Sequence, residues 1–251
     1  MSGHSKWSTI KRKKGAEDAR RGQLFTKLGK EIAIAAREGP DPDINVKLRL
    51  AVDKAKGANM PKDNIERAIR RGAGLDKDAA ELEEVMYEGY GPHGVALMIS
   101  VVTDNRNRAV ADIRRWFNKL GGSLGESGCV AWQFEPKGYF TLEPDDLDPD
   151  ELFEIAVECG ADDVVFSEDL VEIFAEFDEF QVVREALEER GLKIESAEIT
   201  MVPKTTIALD QKQAFQNMNL ISQLEELDDV QDVYSNLDIS DELVAGFEEQ
   251  S

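Results

Sequence analysis

Histidine and cysteine are nearly missing from this 251-residue chain, which has two of each. His4 and His93 have no Cys or His at ligand spacing, which excludes the common zinc sites and leaves little for imidazole catalysis. Cys129 and Cys159 are isolated and lack a Cys-x-x-Cys partner, so they read as reduced core residues, neither a bridge nor a metal site. No apolar run approaches the ~20 residues that span a bilayer. Met1-Ser2-Gly3-His4-Ser5-Lys6 lacks the apolar stretch of a secretory signal. Also missing are a Gly-x-Ser-x-Gly elbow, a Walker A loop and a dinucleotide fingerprint. Asp146-Leu147-Asp148-Pro149-Asp150 starts like a calcium loop, but Glu151 stands where that loop needs Gly and Val157 where it needs Glu. Capping of the following helix fits better. These absences lead us to expect a cytoplasmic protein that is not an enzyme, with no cofactor, metal, membrane or small-molecule substrate.

What the chain does have is charge, unevenly placed. Residues 1–75 hold 18 Lys and Arg against 9 Asp and Glu, a net of +9. The remaining residues hold 12 against 42, a net of −30, which gives the total of −21. A polyanion responds to the local field, and clustered Lys and Arg supply the sequence-independent part of nucleic-acid affinity. Lys6, the run Lys11-Arg12-Lys13-Lys14, Arg20, Arg21 and Lys27 are the candidate phosphate contacts of this end. Residues 6–21 have few apolar side chains beyond Trp7 and Ile10, so they are expected to form an arm that stays mobile until a partner orders it.

Hydrophobic periodicity predicts three helices behind this arm. Leu24, Leu28, Ile32 and Ala35 form the first stripe, ended by Gly39-Pro40. Asp43 is the expected cap of a second, with Leu48, Ala51, Val52 and Ala55 inward. A third starts at Pro61, buries Ile65, Ala68 and Ile69, and ends at Gly72. Beyond residue 80 the pattern becomes mixed. Residues 87–94 read as turn-rich, 95–102 as a buried strand, 106–120 as a helix and 123–128 as a loop. Strands are expected at 129–134 and 138–142. From residue 139 the order strand, helix, strand, strand, helix, strand is the ferredoxin-like split pattern. A strand at 205–209, a helix at 211–227 and a strand at 230–234 follow. The expected fold class is α+β: a three-helix bundle and two ferredoxin-like α/β-sandwich domains, one inserted into the other. The boundaries are 1–78 for the basic helical domain, 79–128 plus 204–240 for the discontinuous domain, 129–203 for the insert and 241–251 for an acidic tail.

A second basic cluster, Asp104-Asn105-Arg106-Asn107-Arg108, lies where the buried strand meets the helix. Arg106, Arg108 and Arg115 are candidate phosphate contacts, because Asn and Arg at a helix N-terminus bind phosphate together with free backbone N–H groups. Equally, Asp104 or Asn105 caps the helix and the arginines pair with acidic neighbours. Arg108, Arg115 and Lys119 share a face expected to lie opposite Trp116 and Phe117. Tyr87 and Tyr90 either stack on bases or cover a core edge.

Gly3-His4-Ser5-Lys6-Trp7, Phe25-Thr26-Lys27, Asn59-Met60-Pro61, Tyr87-Glu88-Gly89-Tyr90-Gly91-Pro92 and residues 104–108 together closely resemble the YebC/PmpR family. This is a bacterial family with a mitochondrial branch of translational activators. Ser196-Ala197-Glu198 and residues 228–234 fit as well, so the resemblance spans the chain. One departure is the short linker Glu38-Gly39-Pro40-Asp41-Pro42, where the family pattern is longer and Gly-rich. The resemblance implies three domains and a regulator of gene expression whose partner is nucleic acid, DNA or ribosomal RNA. Two forms are implied: a DNA-binding transcriptional regulator, or a ribosome-associated translation factor that binds rRNA or tRNA and relieves stalling. A third reading, from the charge of the remaining domains, is an acidic protein-interaction module.

Overall fold

The computed structural model describes residues 18–76, 80–143, 148–167 and 170–248, without the side chains of 18–20, 241 and 248. The expected contacts Lys6, Lys11, Arg12, Lys13 and Lys14 therefore lie outside the described residues, as does most of the expected arm. Two compact units are formed, one of residues 134–204 and the other of the described parts of 2–133 and 205–251.

In the larger unit three helices come first: α1 (Asp18–Ala35), α2 (Val46–Gly57) and α3 (Lys62–Gly72). Leu28, Ile32, Leu48, Ala55, Met60 and Ile65 are buried among them. Leu24, expected in this stripe, is instead 43% exposed, and Phe25 packs in its place. The cap of α2 is Asn45, not Asp43. Its Oδ1 accepts from Leu48 N at 3.0 Å while its Nδ2 donates to the Ala35 and Gly39 carbonyls, so one amide ends α1 and starts α2. α3 ends at Gly72 as expected, but the left-handed residue that follows is Gly74, at φ 70°. Gly72 is required for close approach, since a Cβ there would come 2.1 Å from the Ala33 carbonyl oxygen of α1.

An antiparallel sheet follows in the order β3-β1-β2-β8. Its strands are β1 (Glu83–Tyr90), β2 (Ala96–Thr103), β3 (Ser123–Leu124) and β8 (Val230–Ser235). Residues 87–90, expected in a turn, belong to β1, and only Gly91–Gly94 turn. Ser123 and Leu124, expected in a loop, pair with Tyr90 and Gly89. Every residue of β2 is buried. Leu97, Ile99 and Val101 face α4 (Arg106–Leu120) and a later helix that spans Gln211–Glu225, meeting Ile113 and Phe117 of the one and Met218 and Ile221 of the other. This domain departs from the expected ferredoxin-like topology: its strands run third-first-second-fourth across the sheet, β1 and β2 form a leading hairpin, and the crossover through α4 comes after it. Ala33 of α1 packs with Leu82 and Val102, joining bundle and sheet in one unit.

The smaller unit is ferredoxin-like in its element order: β4 (Phe134–Leu142), α5 (Pro149–Glu158), β5 (Asp163–Phe166), β6 (Val171–Glu176), α6 (Phe180–Glu189) and β7 (Ile194–Pro203). The sheet order is β5-β6-β4-β7, all antiparallel. Asp148 caps α5, as expected. Pro136 sits inside β4, where a break was expected. It is tolerated because β6 pairs only from Lys137 onward, leaving that side of Pro136 without a strand neighbour.

Residues 129–133 stay with the larger unit, not with the insert, and form a 3-10 turn at Ala131–Gln133 where a strand was expected. Glu88 explains why. Its buried carboxylate accepts the Gly128, Val130 and Ala131 N–H groups at 2.7–2.8 Å. Burial opposes its charge, but these three bonds prevail and hold its carboxyl below the usual range. Asn236 holds both connecting segments: its side chain donates to Gln133 Oε1 and its carbonyl accepts from Ile207 N. Residues 205–209 make only one bridge, Ile207 with Leu237, and no strand. With α7 the helix Gln211–Glu225, the acidic tail is corrected to α8 (Asp241–Glu248), whose Leu243, Val244 and Phe247 pack on the larger core.

Gly72→Ala is expected to lower the denaturation midpoint, costing about 1–3 kcal/mol through overpacking against Ala33. Gly57→Ala, where the added Cβ meets nothing within 4 Å, is its control and should not destabilise. Chemical denaturation of both variants checks the pair.

Candidate nucleic-acid interface

The basic side chains of α1 were expected to face a polyanion, yet part of them meets the chain itself. The C-terminal end of α7 leaves carbonyls without helical partners, and the helix dipole makes that end attractive to cations. Lys27 Nζ donates to the Glu225 carbonyl at 2.5 Å and Lys30 Nζ to that of Asp228 at 2.8 Å. Gln23 Nε2 donates to the carbonyl of Glu226. Four carboxylates in five residues, Glu225, Glu226, Asp228 and Asp229, lie along this end.

Asp229 is the centre. Its Oδ1 is 2.6 Å from Lys30 Nζ, and its Oδ2 accepts from Arg108 Nη2 at 2.8 Å, Arg108 Nε at 3.2 Å and Thr103 Oγ1 at 3.1 Å. Its backbone carbonyl accepts from Val102 N at 2.9 Å. Burial works against the Asp229 charge, but the bonds from Lys30, Arg108 and Thr103 together outweigh it and hold its carboxyl below the usual carboxylate range. Arg108 is raised in turn, first by its hydrogen bond to Asp229 and then by Asp104, 2.8 Å away. Asn105 caps α4, accepting from Arg108 N.

The expected contacts therefore divide. Lys27 and Arg108 are corrected from phosphate ligands to docking residues, because carboxylates and carbonyls distant in sequence already hold them. Arg20 lies in the first turn of α1, its side chain outside the described residues, and Arg21 is exposed there. Arg106 is exposed, 3.5 Å from Glu83. Arg115 is exposed on α4 and makes no ion pair among the described residues. Trp116 does not lie opposite the basic face as expected: Lys119 Nζ sits 4.4 Å over its ring. Tyr87 covers a core edge, and Tyr90 donates to the Cys129 carbonyl. His93 stays in its turn, at φ 63°, against Gln216. Residue-by-residue reading passed over Arg114, which is also exposed on α4; the net charge of the helix would have drawn attention to it. A cleft lined by Thr26, Lys30, Arg108, Asp112 and Asp229 brings α1 and α4 together.

Residues 5–75 match the family pattern described as the TACO1/YebC protein N-terminal domain, and residues 82–237 match the TACO1/YebC second and third domain. A probable transcriptional regulatory protein of Trichlorobacter lovleyi is 55% identical over 241 residues, 96% of this chain and 97% of that one. One of the same name from Herpetosiphon aurantiacus is 53% identical over 252 residues, the full length of both. The crystal structure of a conserved hypothetical protein from Aquifex aeolicus is similar at a TM-score of 0.83 and 47% identity, covering 89% of this chain and 93% of that one.

Asp229→Asn is expected to destabilise the larger unit by about 2–3 kcal/mol near neutral pH, less than the roughly 3–5 kcal/mol of a fully buried pair because Arg108 is half-exposed. The Asp229 carboxyl is depressed, so its contribution is complete above the ordinary value of about 3.9 and is lost as pH falls below it through the depressed value. The variant should therefore lose less stability than the parent across that acid window, measured by denaturant unfolding at a series of pH values.

Proposed function

The chain belongs to the TACO1/YebC family, and from that premise we propose that it is a nucleic-acid-binding regulator of gene expression acting in the cytoplasm. The observation that carries the reading is the +9 charge of residues 1–75 beside the −30 of the rest. Phosphate neutralisation needs such a local excess, and the acidic remainder disfavours contact elsewhere. The role is assigned to the basic helical domain 1–78 through Lys6, Lys11, Arg12, Lys13, Lys14, Arg20 and Arg21, with Arg106 and Arg115 as further contacts. DNA-binding transcriptional regulation is the leading form, in keeping with the names of the relatives. A ribosome-associated form is the second, favoured by the run Lys11-Arg12-Lys13-Lys14, which suits phosphate contact more than base readout.

Ribosome co-sedimentation from lysate, paired with binding to promoter fragments, tests the reading. A transcriptional regulator should prefer a particular promoter fragment over random duplex by ~10³ or more. A ribosomal factor should pellet with ribosomes at moderate salt and lose this when Lys11, Arg12, Lys13 and Lys14 become Ala. Indifference to nucleic acid in both assays at low salt would sink the proposal in favour of an acidic protein-interaction module.

A further inference from the structure

Residues 76–251 carry −30, yet α4 within them carries five cations, Arg106, Arg108, Arg114, Arg115 and Lys119, against Asp112 alone, a net of +4. Cations in so acidic a setting would be expected to pair. Arg106 and Arg108 do, with Glu83 and with Asp104 and Asp229. Arg114, Arg115 and Lys119 have no carboxylate in ion-pair range among the described residues. The helix dipole accounts for Lys119 in the last turn, but its influence fades before Arg114 and Arg115.

The arrangement of the outer face is specific. Ala111, exposed, has Asn107 and Arg115 four residues to either side and Arg114 three residues on, so these side chains border it, while Arg108, three residues before, is held by Asp104 and Asp229. Asn118 and Lys119 continue the same face. A small residue bordered by guanidinium and amide donors lets a polymer come close while the donors reach around it. Asp112, the helix's lone carboxylate, lies at the cleft edge of this face, where it lines the cleft with Thr26 of α1 and Arg108. From Asn107 to Lys119 the stripe runs about 18 Å, enough to pass several phosphates of a duplex that carries one charge per about 1.7 Å of axis. It offers no free aromatic platform, since Trp116 packs on the core beneath Lys119, and so lacks what single strands use for stacking.

We infer that the outer face of α4, through Arg114, Arg115 and Lys119 around Ala111, is a second phosphate-binding track for double-helical nucleic acid. This rests on the nucleic-acid reading above. The track is continuous with the basic end: α1 and α4 share a cleft, and Asp18, where the described part of α1 starts, is about 12 Å along that helix from Thr26 in the cleft wall. One duplex can thus meet α4 and the start of α1, where Arg21 is exposed, together, and the contact is to backbone, indifferent to sequence.

The test is fluorescence anisotropy of the full chain with one random sequence as duplex RNA, duplex DNA and single strand, over about 50–200 mM salt. The triple variant Arg114→Ala, Arg115→Ala, Lys119→Ala should bind duplex at least tenfold more weakly, with the salt slope shallower by about 2–3. Ala111→Glu, a helix-compatible change at an exposed site, should weaken binding in the same direction with an unchanged melting midpoint. Arg114→Lys with Arg115→Lys should largely restore it, and the preferred duplex identifies the source of the phosphate. If the chain binds duplex and the Lys11–Lys14 alanine variant weakens it, but both α4 variants match the parent in affinity and slope, the α4 track is overturned and the functional reading survives. A preference for single strand overturns the track as well. No binding to any probe overturns both.

Discussion

A single carboxylate holds the larger unit in register. Asp229 reaches Lys30 on α1, Thr103 at the end of β2 and Arg108 on α4, while its backbone pairs with Val102. Three elements from three parts of the chain converge on two oxygens. The Lys30 and Asp229 side chains are 13% and 11% exposed, so their attraction is felt through protein more than through water. A pair such as Lys47–Glu38, 67% and 60% exposed, gains at most about 1 kcal/mol and fixes nothing. At Asp229 the loss of any partner leaves the others poorly satisfied, which is why the site acts as a unit.

This constraint also explains what could be read from the sequence and what could not. β2 and α4 were legible because their signals are local: eight apolar or small residues in a row, and an apolar stripe closed by Gly121 in the left-handed conformation. The split pattern of residues 139–202 was legible for the same reason. Lys27 was misread because its partner lies 198 residues away in sequence, while for Arg108 the alternative of pairing with acidic neighbours holds, with Asp104 four residues away and Asp229 121. A lysine bound for a distant carbonyl has the same local context as one bound for phosphate. Residues 87–90, the second half of β1, read as turn because Gly89 looks like a breaker. Its role is packing, since a Cβ there would strike the Ser123 carbonyl and the Phe117 ring. The C-terminal helix was hidden by its acidic composition, although Leu243, Val244 and Phe247 carry the spacing of a docked face.

Glu88 and Asn236 show the same economy at the segments that leave the larger unit and return to it. A carboxylate that accepts three backbone N–H groups fixes residues 128–131 without any hydrophobic core of their own. Asn236, 1% exposed, accepts from Ala96 N through its side chain and from Ile207 N through its backbone, and donates to Gln133. Buried polar groups are costly unless satisfied. Here their satisfaction is what ends the larger unit, so its border follows hydrogen bonding and not a change in hydrophobic pattern.

The docking of α1 has an electrostatic effect beyond stability. At physiological salt, charges separated by more than about 8 Å are largely screened. A phosphate approaching α4 therefore responds to its near neighbours and not to the −30 of the whole remainder. An acidic segment, Glu226–Asp229, lines the cleft beside α4. Lys30 and Arg108 neutralise Asp229, and Lys27 offsets the negative end of α7. The cations that seemed lost to binding thus lower the repulsion around those that remain. Through Lys27 and Lys30 the basic N-terminal domain thus supplies counter-charge to the acidic segment beside α4.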